Sequence, residues 1–308
     1  MGLADLFKRN SVPPGGDDDL FGEEFQRKLD YLALVSRRLF AGRLRAERRS
    51  KKTGSGIEFA DHREYAVGDD LRYLDWNVYG RSGKLLLRLF EEEEDLSIYI
   101  LLDCSRSMAF GEPSKFDHAR KIAAAMAYVG LANLDRVAVV GFSSRVDKQL
   151  PASRGKGQIF KVFNFLRGVK PEGDTALADV AKVFTSQHKR RGIAIVISDL
   201  YDPEGFERGI NALRYQKFEP VVIHVVDPRE ADPGARGDVT LYDVETGETR
   251  EVTLTQSMIE QYRKAHTDWR KQIDDFCKSR QVPYVAADIT GSFDEQVLYL
   301  FRRLGIMG

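Results

Sequence analysis

Asp103-Cys104-Ser105-Arg106-Ser107 sets one carboxylate and two hydroxyls at alternating positions directly after the apolar run Leu96-Ser97-Ile98-Tyr99-Ile100-Leu101-Leu102. Oxygens spaced this way past a strand's carboxyl end can converge on one centre. A small hard cation, Mg2+ or Mn2+, suits that centre because it takes oxygen ligands and keeps several waters. Ser and Asp also serve as turn formers and helix caps, so the pattern needs further oxygens to mean more. Thr175 offers one from the polar turn Pro171-Glu172-Gly173-Asp174-Thr175, just before a helical pattern. Asp199 offers another at the end of the apolar run over residues 193–197. In an open parallel sheet the strand ends meet along one edge, where ligands bind. Asp103, Ser105, Ser107, Thr175 and Asp199 are therefore expected to form one site.

The elements that must position these residues can be read from hydrophobic period. Strands are expected over residues 96–103, 137–143, 193–199, 221–227 and 282–287. Helices are expected over 116–134, 158–167, 177–188, 205–215, 257–280 and 293–304. That alternation predicts an α/β domain over residues 96–308 with a doubly wound, mostly parallel sheet of Rossmann-like type. Two alternating runs around a Gly-containing turn, residues 239–254, read as a β-hairpin inserted at 237–255 that covers a sheet edge. Ahead of this domain, residues 1–19 read as a flexible N-terminus and 20–95 as an N-terminal helix followed by a small β-rich segment. The helix starts behind Asp17-Asp18-Asp19 and sets Leu29, Leu32, Val35 and Leu39 on one face.

Composition narrows the function. With 47 basic and 47 acidic residues among 308, the chain has no global field to draw it to nucleic acid or membrane. The basic run Arg43, Arg45, Arg48, Arg49, Lys51 and Lys52 lacks interleaved aromatics for base stacking and reads as a solvated or internally paired surface. No nucleic-acid partner is expected. No run reaches the roughly 18 apolar residues of a membrane span, and the two cysteines, Cys104 and Cys277, fit a reduced compartment. A cytoplasmic location is expected, with Cys277 as a packing residue on a helix. His224, inside an apolar run, reads as a core histidine with a hydrogen-bond partner. The five histidines show no ligand spacing, and G-x-S-x-G, G-x-x-x-x-G-K-[ST] and G-x-G-x-x-G are absent. A magnesium-dependent phosphohydrolase of the haloacid-dehalogenase type would need a second Asp two residues after the nucleophile, where this chain has Ser105. No enzyme is expected.

The order DxSxS, Thr, Asp resembles the metal-ion-dependent adhesion site of von Willebrand factor A-type domains, and all five positions are filled. The resemblance implies that Ser105, Ser107 and Thr175 coordinate the ion directly or nearly so, while Asp103 and Asp199 act mostly through water. It further implies that an open position accepts a carboxylate from a partner protein. The series Gly54-Ser55-Gly56-Ile57-Glu58-Phe59-Ala60, Arg63-Glu64-Tyr65, Gly68-Asp69-Asp70-Leu71-Arg72-Tyr73-Leu74-Asp75-Trp76-Asn77 and Leu87-Arg88-Leu89-Phe90-Glu91-Glu92-Glu93 is similar to the N-terminal signature of a bacterial family of uncharacterised proteins. These carry such a segment before a von Willebrand A-like domain and are often encoded beside MoxR-type AAA+ ATPases. The likeness runs over about residues 40–305, the hairpin with its Asp-x-Glu-Thr-Gly turn included. It implies a protein-interaction module partnered with a MoxR-type ATPase and an acidic client. A structural module that binds no metal is the alternative. Many relatives carry membrane helices ahead of the segment, which this sequence does not show, and Asp174 stands where a glycine is common. Asp69, Asp70, Arg72, Asp75, Trp76 and Asn77 form a polar and aromatic cluster that reads either as a docking surface or as a network fixing the β-rich segment.

Overall fold

All seven residues of β4 (Ser97–Asp103) are buried, as expected of a central parallel strand covered on both faces. The computed structural model describes residues 21–40, 49–54, 58–93, 97–232, 234, 236–242 and 249–303. The chain divides into two units, one of residues 1–37 and 97–307 and one of residues 38–96. The expected flexible stretch 1–19, the basic residues Arg43, Arg45 and Arg48, and the hairpin turn 243–248 lie outside the described residues.

In the larger unit β4 pairs on one side with β5 (Arg136–Phe142) and on the other with β7 (Ile193–Ser198). The sheet extends through β8 (Glu219–Val226) to β11 (Tyr284–Asp288), all parallel. Beyond β5 lies β6 (Val146–Arg154), which is antiparallel and closes that edge. Only β6 was not expected from the sequence: Val-Asp-Lys-Gln-Leu-Pro-Ala-Ser-Arg holds few apolar residues and a proline, and a proline is tolerated in a strand chiefly at a sheet edge. The strand order β11-β8-β7-β4-β5-β6 reverses direction between β4 and β7, so the expected mixed, mostly parallel α/β architecture is present.

Helix α3 (Lys115–Ala132) is buried over nearly its whole length, because its alanines let it lie close to the sheet. At Gly130 an added Cβ would come within 2.8 Å of Val137 and 3.0 Å of Ile98. Helices α4 (Ile159–Gly168), α5 (Leu177–Gln187), α6 (Phe206–Tyr215), α7 (Gln256–Ser279) and α8 (Phe293–Arg303) complete the unit. Tyr99, Leu101, Val140, Val196 and Val222 of the sheet meet Val180, Phe184, Ile210, Leu213 and Ile273 of the helices in one core cluster. Cys277 belongs to this cluster, fully buried on α7.

The first helix, α1 (Glu23–Phe40), begins in this unit, although the sequence grouped it with the segment that follows. Phe21 stacks on Phe163 of α4 with centroids 5.0 Å apart, and Phe25, Leu29 and Leu32 are buried. Tertiary packing of the apolar face decides its membership; the linear position of the helix does not. The hairpin forms as expected, β9 (Gly237–Tyr242) against β10 (Thr249–Leu254), and makes a two-stranded sheet of its own.

The smaller unit is a three-stranded antiparallel sheet of β1 (Arg49–Gly54), β2 (Glu58–Glu64) and β3 (Leu86–Glu93) in the order β1-β3-β2. Between β2 and β3 lies the short helix α2 (Trp76–Ser82). Buried Leu74 bridges to buried Leu87, which ties this connection to the sheet.

Candidate metal centre

The ends of β4 and β7 lie side by side, with Leu102 opposite Ile197. The residues that follow therefore share the crevice at the point where the strand order reverses, the usual ligand position of an open α/β sheet. Asp103 is completely buried. Its Oδ1 accepts the Ser105 N–H at 2.9 Å and its Oδ2 accepts the hydroxyl of Ser198 at 2.5 Å. Ser198 Oγ in turn accepts the Leu200 N–H at 2.9 Å. The hydroxyls of Ser105 and Ser107 stand 3.0 Å apart, the first buried and the second half-buried.

The turn that carries Thr175 is laced to the loops after β4 and β5 through the backbone. Glu172 N–H donates to Cys104 C=O at 2.7 Å, Arg106 N–H donates to Gly173 C=O at 2.9 Å, and Ala176 N–H donates to Ser143 C=O at 3.2 Å. Gly173 takes a φ of +77°, which a side chain would resist. Thr175 is buried, and its Oγ1 has no hydrogen-bond partner among the described residues. Buried hydroxyls are normally satisfied, so this oxygen has lone pairs free to take a hard cation.

Asp199 is completely buried, and its Oδ1 accepts the Tyr201 N–H at 3.3 Å. Its Oδ2 receives a hydrogen bond from Lys115 Nζ at 2.7 Å, and the same ammonium reaches Glu230 Oε1 at 2.6 Å. Burial, and after it the charge of Asp199, raises the Asp103 carboxyl from 3.8 to about 7, against the pull of its hydrogen bonds from Ser198 and Ser105. Burial works against the charge of Lys115, but Asp199 and Glu230 outweigh it and leave the ammonium above its ordinary value. Burial likewise raises the Glu230 carboxyl, with Lys115 opposing.

This donor set fits a hard divalent cation. It offers oxygens alone, three of them hydroxyls, and it includes a buried carboxylate whose negative charge is costly without a counter-ion. Among the described residues no group of three or more His, Cys, Asp or Glu side chains is arranged to hold a metal. Three of the centre's partners escaped the sequence reading: Ser198, Lys115 and Glu230. Ser198 could have been found, since it ends β7 beside Asp103. Nothing in the sequence marks Lys115 or Glu230, because their burial exists only in the assembled fold. His224, in contrast, is the expected core histidine, with Nδ1 3.0 Å from the Tyr284 hydroxyl.

The second predicted cluster belongs to the smaller unit. Asp69 accepts the Ala66 N–H and a guanidinium hydrogen of Arg63, both at 2.8 Å, and these bonds in that order hold its carboxyl below the ordinary range. Asp70 pairs with Arg72 at 2.6 Å. Asp75 caps α2 by accepting the Asn77 and Val78 N–H groups, and it meets His62 Nε2 at 3.1 Å. These carboxylates fix local turns and a helix start. Trp76 is exposed and packs edge-on against Tyr79.

Residues 61–272 match the family described as "Protein of unknown function DUF58". The chain belongs to this family. Uncharacterised proteins of Mycobacterium bovis and Mycobacterium tuberculosis are each 26% identical to this DUF58 chain over 264 residues, covering 83% of it and 82% of each relative. An uncharacterised protein of Mycobacterium avium is 34% identical over 97 residues, 32% of this chain and 57% of that one. Among solved structures, the conserved hypothetical protein BatB from Bacteroides thetaiotaomicron aligns with a TM-score of 0.44 at 18% identity, over 69% of this chain and 98% of BatB. Manganese-loaded TRAP protein from Plasmodium vivax aligns with a TM-score of 0.36 at 16% identity, over 68% and 72%. At these scores neither structure adds to the fold of this DUF58 chain, which rests on its own strand order.

Proposed function

We propose that this chain is a metal-ion-dependent protein-interaction module, and that Ser105, Ser107 and Thr175 hold Mg2+ or Mn2+ directly while Asp103 and Asp199 act mostly through water. The observation that carries the reading is the buried Thr175 hydroxyl, which lacks a partner among the described residues, on a turn bonded through its backbone to the loop of the paired Ser105 and Ser107 hydroxyls. Bound there with few carboxylates, the cation would supply an electron-poor position that attracts an acidic side chain of a partner. The chain's own residues hold and orient, and no nucleophile or proton transfer is needed.

The partner we propose is a MoxR-type AAA+ ATPase, with an acidic protein client, in the assembly or remodelling of another complex. This comes from the resemblance of the segment before β4 to proteins encoded beside such ATPases. A cytoplasmic setting is part of the proposal, in keeping with two buried, unpaired thiols and with no helix among the described residues long and apolar enough to cross a membrane. One observation favours the second reading, an interaction module without metal: Lys115 already gives Asp199 a positive partner.

Affinity capture from native cytosol separates the two. Wild type and Asp103→Ala are compared in Mg2+ and in EDTA. Retention of an AAA+ ATPase or another protein only by wild type with metal is the expected result. The same proteins in all four samples would refute the metal-dependent reading and turn attention to the Asp69 to Asn77 cluster and the hairpin.

A further inference from the structure

Lys115 is the first residue of α3 and is 1% exposed, yet it reaches two carboxylates at once, at 2.7 and 2.6 Å. Its ammonium also lies 5.0 Å from the ring centroid of Tyr201, which stacks on Trp269 at 4.6 Å. Glu230 is held from behind, since its backbone C=O accepts the Tyr262 hydroxyl at 2.6 Å. The helix itself has no need of this lysine. Its start is capped by Ser114, whose Oγ accepts the Asp117 N–H at 3.0 Å, and a cation in the first turn opposes the helix dipole. A buried ammonium is costly unless it is paired. Lys115 is thus placed to serve the crevice, where Asp103, Asp199 and Glu230 are otherwise three carboxylates without a cation. Neighbouring Asp227 is matched separately, by the guanidinium of Arg229 at 2.7 Å.

We propose that Lys115 is the resident cation of the centre: it holds Asp199 in position without metal and competes with a divalent ion for that carboxylate. This rests on the metal-site reading above and adds a control on it. The ammonium occupies an acceptor that an incoming ion or its water would use, and it lowers the negative potential of the crevice. The chain therefore keeps an ordered centre in the absence of metal and binds the ion more weakly than its own oxygens would allow. A partner's carboxylate restores the charge that Lys115 withdraws, so ion and partner favour one another.

The test is Mn2+ titration by calorimetry on the full chain, with thermal unfolding in EDTA and in Mn2+, for wild type, Lys115→Met, Lys115→Met with Glu230→Gln, and Thr175→Val. The double variant guards against misfolding, because it removes the Glu230 charge that Lys115→Met alone would leave facing Asp199 without a cation. Lys115→Met is expected to bind Mn2+ at least about tenfold more tightly than wild type, the scale of removing one positive charge from a site of intermediate dielectric, and the double variant, which also gives up the Glu230 charge, is expected to bind more tightly than wild type by a smaller factor. Lys115→Met is also expected to melt lower than wild type in EDTA and to recover in Mn2+. If Mn2+ affinity is unchanged or weaker in both lysine variants while Thr175→Val loses it, the competition is refuted and the metal site stands. If no variant nor wild type takes up Mn2+, the proposal and the metal-site reading fall together.

Discussion

Asp103→Asn separates what the centre needs for binding from what it costs in stability. The carboxyl stands at about 7 in the folded chain against 3.8 ordinarily, first because it is buried and second because Asp199 is close. A folded-state value above the unfolded one means that the folded form holds the proton longer. The contribution of this group to stability is thus full below about 3.8 and is lost as the pH rises to about 7. At about 1.4 kcal/mol per tenfold, the ionised carboxylate burdens the metal-free fold by on the order of 4 kcal/mol at pH 8, and by less than half of that at pH 5. Asparagine removes the charge and keeps a carbonyl for the Ser105 N–H, but its amide meets the Ser198 hydroxyl in the wrong sense, a loss of about 1–2 kcal/mol. The net expectation is a variant about 2 kcal/mol more stable than wild type at pH 8 and about equal at pH 5. For a domain of this size that is about 4–8 °C in Tm at pH 8. Thermal and urea unfolding in EDTA at both pH values is the assay, with Mn2+ titration alongside, in which the variant is expected to lose binding. A variant no more stable than wild type at pH 8, or a gain that does not shrink on acidification, would refute the electrostatic account of the centre.

Thr175→Val should leave the metal-free stability unchanged within about 1 kcal/mol, because the hydroxyl it removes has no partner among the described residues, while Mn2+ binding is lost; a large drop in Tm in EDTA would show that the hydroxyl is satisfied after all. Burial, and after it the positive charges of Arg270 and Lys115, holds His224 down to about 3 from 6.5. Its unfolded form therefore takes up a proton that the folded form refuses, and stability falls as the pH drops from about 6.5 toward 3, by up to about 1.4 kcal/mol per unit. His224→Asn is expected to be less stable at pH 7 but to show a flatter decline between pH 6.5 and 4 in urea unfolding. Parallel curves for the two proteins would sink this reading.

Much of this molecule is legible in its sequence, because hydrophobic period and strand-end polarity are local properties. The buried runs at β4, β7 and β8 have no choice but central strands, and oxygen-bearing residues directly after a parallel strand must fall on the sheet edge. That logic located Asp103, Ser105, Ser107 and Asp199 without coordinates, and Thr175 through the turn before α5. The strand β6 was hidden because an edge strand need not be apolar, and α1 was grouped with the wrong unit because its apolar face names no partner until Phe21 stacks on Phe163. The character of the centre was decided by the tertiary structure alone. Lys115 and Glu230 are 115 residues apart in sequence, yet they meet over Asp199, and the Thr175 hydroxyl has no hydrogen-bond partner among the described residues. Residue type and spacing determine which groups can reach an edge. Which of them become buried, paired or orphaned depends on contacts between distant segments, and those contacts set the charge of the site.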